Sequence, residues 1–293
     1  MQVSQMPKWI LGQWLLGRRC LAAAALFAMC GLPIFAQANP EKQPPLPIQI
    51  VKIKENVYTL EGQGGNSTVV LTSAGVILVD CKFERNHDEV VEKVKSLSDK
   101  PIRYLFATHS HADHSGGSAK MAAMGVAVIS SVNTRENMVR TNQAPGPEVL
   151  FEGEMQLNLG GTVALARQFR GHTNGDVVVF FPAARVVAMG DLMTTGVPGM
   201  ASYADGGNWT DFGKALDEIV KLDFDFAVPG HGPVATKADV LAYRDKLAAM
   251  RARIQELVRA QKTQDEIAAI LIKEFQWGAP ASRTLPSVMQ ELH

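Results

Sequence analysis

The order of predicted strands and helices constrains the fold of this chain more than any other feature. Short β-type runs separated by glycines occupy residues 48–79, and a second β-rich block occupies residues 162–189. Helical periods follow each block, the second set beginning near residue 211. Because each sheet must bury an apolar face, this order predicts the α/β (α+β) class, as a four-layer αββα sandwich of two sheets with helices outside.

The first 38 residues differ from the rest in composition. They contain three basic residues and no acidic one, with a short apolar run before Ala36-Gln37-Ala38, the small-x-small pattern that a signal peptidase reads. We expect residues 1–38 to be a signal peptide, 39–47 an extended lead-in, and 48–293 the folded domain, with C-terminal helices from about residue 236. An uncleaved anchor is the alternative, but the run is short for a span of roughly 20 residues.

The predicted signal peptide indicates a periplasmic or secreted protein. Its removal takes three basic residues from a chain with 29 of each sign, which leaves a net charge of −3. The absence of a basic excess argues against a nucleic-acid partner, and we expect no stable membrane partner after cleavage. Cleavage also removes Cys20 and Cys30, so Cys81 cannot form an intramolecular disulfide and is predicted to be a buried thiol.

Residues 108–117 carry the densest metal-binding chemistry. They place His109, His111, Asp113 and His114 directly after an apolar run. His109 and His111 project the same way from an extended segment because side chains alternate along it. Imidazole and carboxylate ligands without a thiolate suit Zn²⁺, with Mn²⁺ or Fe²⁺ as alternatives.

Three further candidate ligands, His172, Asp191 and His231, also follow predicted strands. A rigid sheet can aim loops at its strand ends toward one point, so we expect all seven side chains to meet. A purely structural zinc site is the alternative, but such sites are usually four-coordinate and rich in cysteine. Seven ligands therefore predict two ions with open coordination positions. Such a cluster carries net positive charge and favours an anionic substrate.

This constellation resembles the metallo-β-lactamase superfamily over about residues 50–245. The matching elements are His109-x-His111-x-Asp113-His114, His172, Gly190-Asp191 and Pro229-Gly230-His231-Gly232. The resemblance implies that His109, His111 and His172 bind a first zinc ion and that Asp113, His114 and His231 bind a second. It also implies that Asp191 bridges the two ions and that Asp80 contacts a ligand residue rather than a metal ion. Antibiotic-hydrolysing members usually have cysteine or serine in place of Asp191. The full set is similar to that of thioesterases, lactonases and phosphodiesterases, and to a group of exported lactamase-like hydrolases.

The resemblance implies a binuclear, zinc-dependent hydrolase in which a metal-bound hydroxide attacks an acyl carbon. Asp113, His109 and His111 are the expected catalytic residues, and Asp113 also orients the hydroxide. The expected substrate is a small, anionic β-lactam, lactone, ester or thioester. The alternative is a mononuclear iron oxidoreductase of the same fold that acts on sulfur compounds.

Substrate specificity is expected to reside in loops over the metals, at residues 141–151 and 194–209. The second loop contains Tyr203, Asn208 and Trp209 as candidate lining residues. An ordinary structural role is the alternative for each of the three.

Overall fold

Two mixed β-sheets form the centre of the structure, a computed structural model that describes residues 47–143, 148–196, 199–278 and 283–293. The predicted signal peptide and nearly all of the predicted lead-in lie outside the described residues. From Pro45 to His293 the chain forms one compact unit. None of the helices in the described ranges combines the length and the hydropathy that a membrane span requires.

The first sheet has seven strands in the order β1 to β7. They are β1 (Gln49–Lys54), β2 (Val57–Glu61), β3 (Ser67–Thr72), β4 (Gly75–Val79), β5 (Ile102–Phe106), β6 (Ala127–Ser131) and β7 (Glu148–Phe151). Strands β1 to β4 form an antiparallel meander, and β4 to β7 are parallel. The carboxyl ends of β4 and β5 therefore lie at the same edge of this sheet.

The second sheet has six strands in the order β13-β12-β11-β10-β9-β8. They are β8 (Glu154–Leu159), β9 (Thr162–Phe169), β10 (Asp176–Phe181), β11 (Val186–Thr194), β12 (Phe226–His231) and β13 (Ala235–Thr236). All neighbours are antiparallel except β11 and β12, which run parallel. The carboxyl ends of β11 and β12 are thus side by side.

The helices fall into two sets, the first connecting strands of the first sheet and the second connecting or following strands of the second sheet. They are α1 (His87–Leu97), α2 (Ala112–Ser115), α3 (Ser118–Ala123), α4 (Val132–Arg140), α5 (Trp209–Ile219), α6 (Lys237–Arg259), α7 (Gln264–Phe275) and α8 (Leu285–Leu292). The Thr236 side chain accepts from the Asp239 N–H while the Asp239 side chain accepts from the Thr236 N–H, which forms a capping box at the start of α6. This reciprocal bonding fixes where α6 begins.

Alternating side chains divide the core into layers. In β4, Ile77 and Val79 face the second sheet, whereas Val76 and Leu78 pack with α1 and α3. In β10, Val177 and Val179 face the first sheet, whereas Val178 and Phe180 pack with α5 and α6. Both strands are buried on two faces, so their sequences are continuously apolar. The structure is a four-layer αββα sandwich, and the predicted fold class is confirmed.

Cys81 belongs to the layer between the first sheet and α1, where it is 0% exposed. Burial raises the pKa of its thiol to about 12, so the sulfur stays protonated at neutral pH. The prediction of a buried thiol is confirmed.

Two strands lie between residues 148 and 159. The sequence predicted a loop there up to residue 151 and no strand before residue 162. Strand β7 reads Glu-Val-Leu-Phe, and its pairing with β6 makes it an edge strand. Strand β8 alternates between exposed and partly buried residues along Glu-Met-Gln-Leu-Asn-Leu. The pattern of β8 was visible in the sequence, whereas β7 is too short to show a period and depends on its neighbour.

Candidate metal centre

The seven predicted ligands meet where strands of both sheets end. His109 follows β5, His172 follows β9, Asp191 lies in β11, and His231 is the last residue of β12. At Gly190 the backbone has φ +52°, and a Cβ atom there would lie 2.6 Å from Thr108 Oγ1. Only glycine allows the two sheets to approach this closely beside the ligands.

The first ligand group consists of His109, His111, His172 and Asp191, whose donor atoms all lie within 4.8 Å of one another. His111 Nδ1 is 3.1 Å from His109 Nε2 and 2.9 Å from His172 Nε2. His172 Nε2 is 3.5 Å from Asp191 Oδ2. Three imidazole nitrogens and a carboxylate oxygen therefore surround one point.

The second ligand group consists of Asp113, His114 and His231, again within 4.8 Å of one another. His231 Nε2 lies 3.2 Å from both His114 Nε2 and Asp113 Oδ2. His114 Nε2 lies 3.6 Å from Asp113 Oδ2.

The carboxylate of Asp191 lies between the two groups. Its Oδ2 faces His172 of the first group, while its Oδ1 lies 3.2 Å from His114 Nε2 and 3.5 Å from His231 Nε2 in the second. Asp191 Oδ1 is buried, and it has no hydrogen-bond partner among the residues that the structure describes. A carboxylate with one oxygen toward each group has the placement of a ligand shared between two cations.

Four of the imidazoles have their outer nitrogens paired with oxygen atoms. The pairs are His109 Nδ1 with Thr108 Oγ1 at 3.0 Å, His111 Nε2 with Asp205 Oδ2 at 2.9 Å, His114 Nδ1 with Asp80 Oδ2 at 2.8 Å, and His172 Nδ1 with the Met200 carbonyl oxygen at 2.6 Å. An outer nitrogen that donates its proton to oxygen leaves the inner nitrogen with a free lone pair. These lone pairs converge, and a cation between them would remove their mutual repulsion.

The charge states of the group also fit metal binding. Burial alone would raise the pKa of Asp113, but His114 and His231 lower it to about 2. The pKa of Asp191 is likewise held well below its usual range, because His114 and His172 outweigh its burial. Burial lowers the pKa of His109 well below its ordinary value. Neighbouring carboxylates outweigh burial at His114 and raise its pKa well above the ordinary value, and the pKa values of His111 and His231 are raised as well. Divalent metals bind ionised carboxylates and neutral imidazoles, so the binding of ions at this centre would release protons from these three histidines.

Asp80 has the supporting position expected of it. Its carboxylate accepts from the Thr108 N–H and the Thr108 hydroxyl, both at 2.8 Å, and also contacts His114. One buried aspartate thus orients ligands of both groups, His114 directly and His109 through Thr108.

Asp205 is a supporting residue that was not predicted from the sequence. Besides contacting His111, its carboxylate accepts from the Ser202 hydroxyl at 2.5 Å and from the Arg140 guanidinium. These contacts hold the pKa of Asp205 well below its usual range, so it stays ionised. No motif marks it, because its partner His111 lies 94 residues earlier in the chain.

The glycine loop, residues 62–66, braces the second ligand group. The Gly65 N–H donates to the Asp113 carbonyl oxygen at 2.9 Å, and the Asn66 side chain donates to the Pro229 carbonyl oxygen at 3.0 Å. Lys82 is 0% exposed and donates from Nζ to the Gly65 carbonyl oxygen at 2.7 Å. In the sequence these glycines only separate β-type runs, and nothing local to Lys82 indicates its burial.

The three candidate substrate-lining residues have other roles in the structure. Trp209 is 1% exposed and packs against Trp277 with ring centroids 6.0 Å apart, so its prediction as a lining residue is wrong. The Asn208 side chain accepts from the Asp211 N–H at 2.7 Å and caps α5. Tyr203 donates its hydroxyl to Glu291 at 2.6 Å. The three residues were predicted to line the substrate site because they lie in a loop over the metals. Helix α5 begins at the end of this loop, so Trp209 packs in the core and Asn208 caps the helix.

Comparison with known proteins agrees with this geometry. Residues 60–231 match the sequence profile of the metallo-beta-lactamase superfamily. The chain belongs to this superfamily. As a metallo-beta-lactamase superfamily protein with a cluster of histidines and aspartates, it is expected to bind divalent metal and to act on small molecules. The matched residues include all seven ligands.

Individual relatives of this superfamily member are distant. It is 27% identical over 217 residues to a metallo-beta-lactamase type 2 of Bacillus cereus, covering 68% of this chain and 82% of the relative. A metallo-beta-lactamase from Pontibacter korlensis has a TM-score of 0.62 at 20% identity, covering 69% of this chain and 99% of the other. A stereoselective inverting sec-alkylsulfatase from Pseudomonas sp. has a TM-score of 0.67 at 16% identity, covering 83% and 50%. The two structures share the fold.

Proposed function

We propose that this chain is a zinc-dependent hydrolase that holds two ions and cleaves an acyl bond of a small, anionic substrate. The observation that carries the proposal is the convergence of two ligand groups on the shared carboxylate of Asp191. His109, His111 and His172 would hold one ion, and Asp113, His114 and His231 would hold the other. Zinc, when bound, supplies a water ligand with its pKa lowered to about 7 and a Lewis acid for a carbonyl oxygen.

The exposure of the ligands indicates from which side a substrate approaches. The side chains of His109 and His114 are fully buried, whereas those of His111, Asp113 and His231 are 32%, 25% and 38% exposed. The open side of the centre is therefore formed by members of both groups. We place the acyl group there, beside the Asp113 carboxylate, which can accept a hydrogen bond from the attacking water and orient it.

The substrate class follows from charge and from relatives. Two divalent ions outweigh the two aspartates and favour an anionic group or a developing oxyanion. The relative from Bacillus cereus is named a metallo-beta-lactamase, which supports a β-lactam. The complete set of seven histidine and aspartate ligands, with Asp191 shared, supports a lactone, ester or thioester. All of these share an acyl carbon that is attacked by water.

A substrate panel with matched variants tests the proposal. Zinc-loaded protein is assayed with a chromogenic cephalosporin, a lactone, a thioester and a bis-aryl phosphate. Asp113→Ala is expected to lower turnover of the accepted acyl substrate by about 10²-fold or more while far-UV circular dichroism is unchanged. Asp217→Asn, an exposed change on α5, is expected to retain full activity. Full activity of Asp113→Ala, or one iron per chain in place of two zinc, would contradict the proposal.

We also propose that the protein acts in the periplasm or outside the cell. The acid-free, apolar residues 1–38 support this location. Mass spectrometry of protein purified from its native cells should find Asn39 as the first residue. Recovery of the intact amino terminus would contradict cleavage.

A further inference from the structure

Residues 200–208, the cradle segment, fix two imidazoles of the first ligand group from outside. The Met200 carbonyl oxygen lies 2.6 Å from His172 Nδ1. The Asp205 carboxylate lies 2.9 Å from His111 Nε2. Displacing this segment would rotate or release both rings.

The carboxylate of Glu291, in helix α8, holds the far side of the cradle segment. Tyr203 donates its hydroxyl to Oε2 at 2.6 Å, and the Trp209 N–H donates to the same oxygen at 2.9 Å. The Thr210 N–H donates to Oε1 at 2.7 Å, and the Thr210 hydroxyl donates to it as well. Four donors from the cradle segment and the start of α5 thus converge on one carboxylate, each oxygen accepting two of them.

Helix α8 is a firm support for this contact. Leu285 and Val288 are 0% exposed and belong to the core layer that also contains Trp209 and Met250. Glu291 itself stays ionised, because its hydrogen bonds outweigh partial burial and lower its pKa. A fixed carboxylate facing the first N–H groups of α5 is also favoured by the helix dipole.

A single turn connects Tyr203 to the ligand-supporting carboxylate. Tyr203–Asp205 is a 3-10 turn, in which the Gly206 N–H donates to the Tyr203 carbonyl oxygen at 3.1 Å. The Tyr203 ring and the Asp205 carboxylate therefore move together when the turn moves.

We propose that Glu291 is a positioning residue for the first ligand group, which it orders through Tyr203 and the cradle segment. This role rests on the proposed binding of two metal ions. It connects the C-terminal helix, which holds no ligand, to the affinity of one of the two metal sites. The second ligand group is braced by the glycine loop and is independent of α8.

The test isolates each ligand group before removing the carboxylate. His231→Ala disables the second group and leaves the first, whereas His172→Ala does the reverse. Zinc affinity of the metal-free protein is measured by competition with a chromogenic chelator in each background, with and without Glu291→Gln. A glutamine keeps one acceptor oxygen but turns an N–H₂ group toward the other two donors.

Glu291→Gln is expected to weaken zinc binding about tenfold in the His231→Ala background, and to leave it unchanged in the His172→Ala background. Tyr203→Phe, which removes one hydrogen bond, should give the same pattern with a smaller change, and it serves where Glu291→Gln does not fold. The matched control is Glu274→Gln, which breaks an exposed ion pair with Arg253 between α6 and α7. It should change neither affinity.

The outcomes separate this inference from the proposed function. Equal weakening in both backgrounds, or a lower melting temperature with no change in either affinity, would show a purely structural role for Glu291 and overturn the inference. If unmodified protein binds no zinc, the proposed function itself fails.

Discussion

In four of the imidazoles, the hydrogen bond made by the outer nitrogen leaves the inner nitrogen free to bind metal. The sequence predicted the identities of all seven ligands from short spacings and strand ends. It could not predict the oxygen atoms behind them, since the Asp205 carboxylate and the Met200 carbonyl come from distant parts of the chain. Asp80 was found because the superfamily resemblance placed it, whereas Asp205 had no such signal.

Lys82 gives a prediction about pH at the scale of one residue. Burial lowers its pKa from 10.5 to about 8. Below pH 8 the amine is charged in folded and unfolded chains, and the folded state carries the full cost of burying the charge. Between about pH 8 and 10.5 the unfolded chain binds more protons, so the free energy of unfolding rises with pH.

Lys82→Met should remove this rise, which amounts to about 3 kcal/mol at most. Urea denaturation of both proteins at about pH 7.5 and about pH 10, with chelator present, measures this rise in the free energy of unfolding. An identical pH dependence in the two proteins would show that the amine is not desolvated as the structure indicates.

At the scale of elements, most differences between the predictions from sequence and the structure lie in loops and turns. The start of the C-terminal helices is a local signal, so it was predicted near residue 236, and α6 begins at Lys237. Strand β7 and the roles of residues 200–208 depend on neighbours far along the chain. The glycine loop depends on a distant neighbour in the same way, because it braces His114 only after folding has brought that residue against it.

Gly65→Ala tests the glycine loop. A Cβ atom at Gly65 would lie 2.2 Å from the His114 ring, which Asp80 holds in place, so the loop or the ring must shift. We expect a loss of about 1–3 kcal/mol in the free energy of unfolding, together with reduced metal content.

The matched control for this loop change is Gly213→Ala, in the middle of α5, where nothing lies within 4 Å of the added methyl group. It should stabilise the protein by about 0.5–1 kcal/mol, since alanine favours a helix. Chemical denaturation and elemental analysis of both variants measure the effects. Full metal content in Gly65→Ala would mean that the loop does not brace His114.

At the scale of the whole molecule, the three core layers are built from apolar side chains and include none of the seven ligand residues. Apolar side chains of both sheets and of the helices bury one another, and the ligands lie at one edge of this assembly. The fold should therefore survive loss of metal, although bound metal would stabilise it by linkage.

Metal removal tests this separation of fold and site. A chelator should leave far-UV circular dichroism unchanged and lower the melting temperature by roughly 10 °C, as expected for a ligand present at about a thousand times its dissociation constant. Adding zinc back should restore the transition. Elemental analysis first establishes that the metal has been removed completely. An unchanged melting temperature of that metal-free protein would then argue against metal binding by the folded state.

The sequence by itself determined the layered fold and predicted the seven side chains that the structure brings together, because apolar periodicity and ligand spacing are local properties of the chain. Only the tertiary structure decided which nitrogen is free in four of the imidazoles, that Asp191 faces both ligand groups, and that Trp209 lies in the core. These depend on atoms that folding brings together from distant segments, such as Glu291 beside Tyr203. A carboxylate or a carbonyl oxygen becomes a specific partner only when the chain has closed around it.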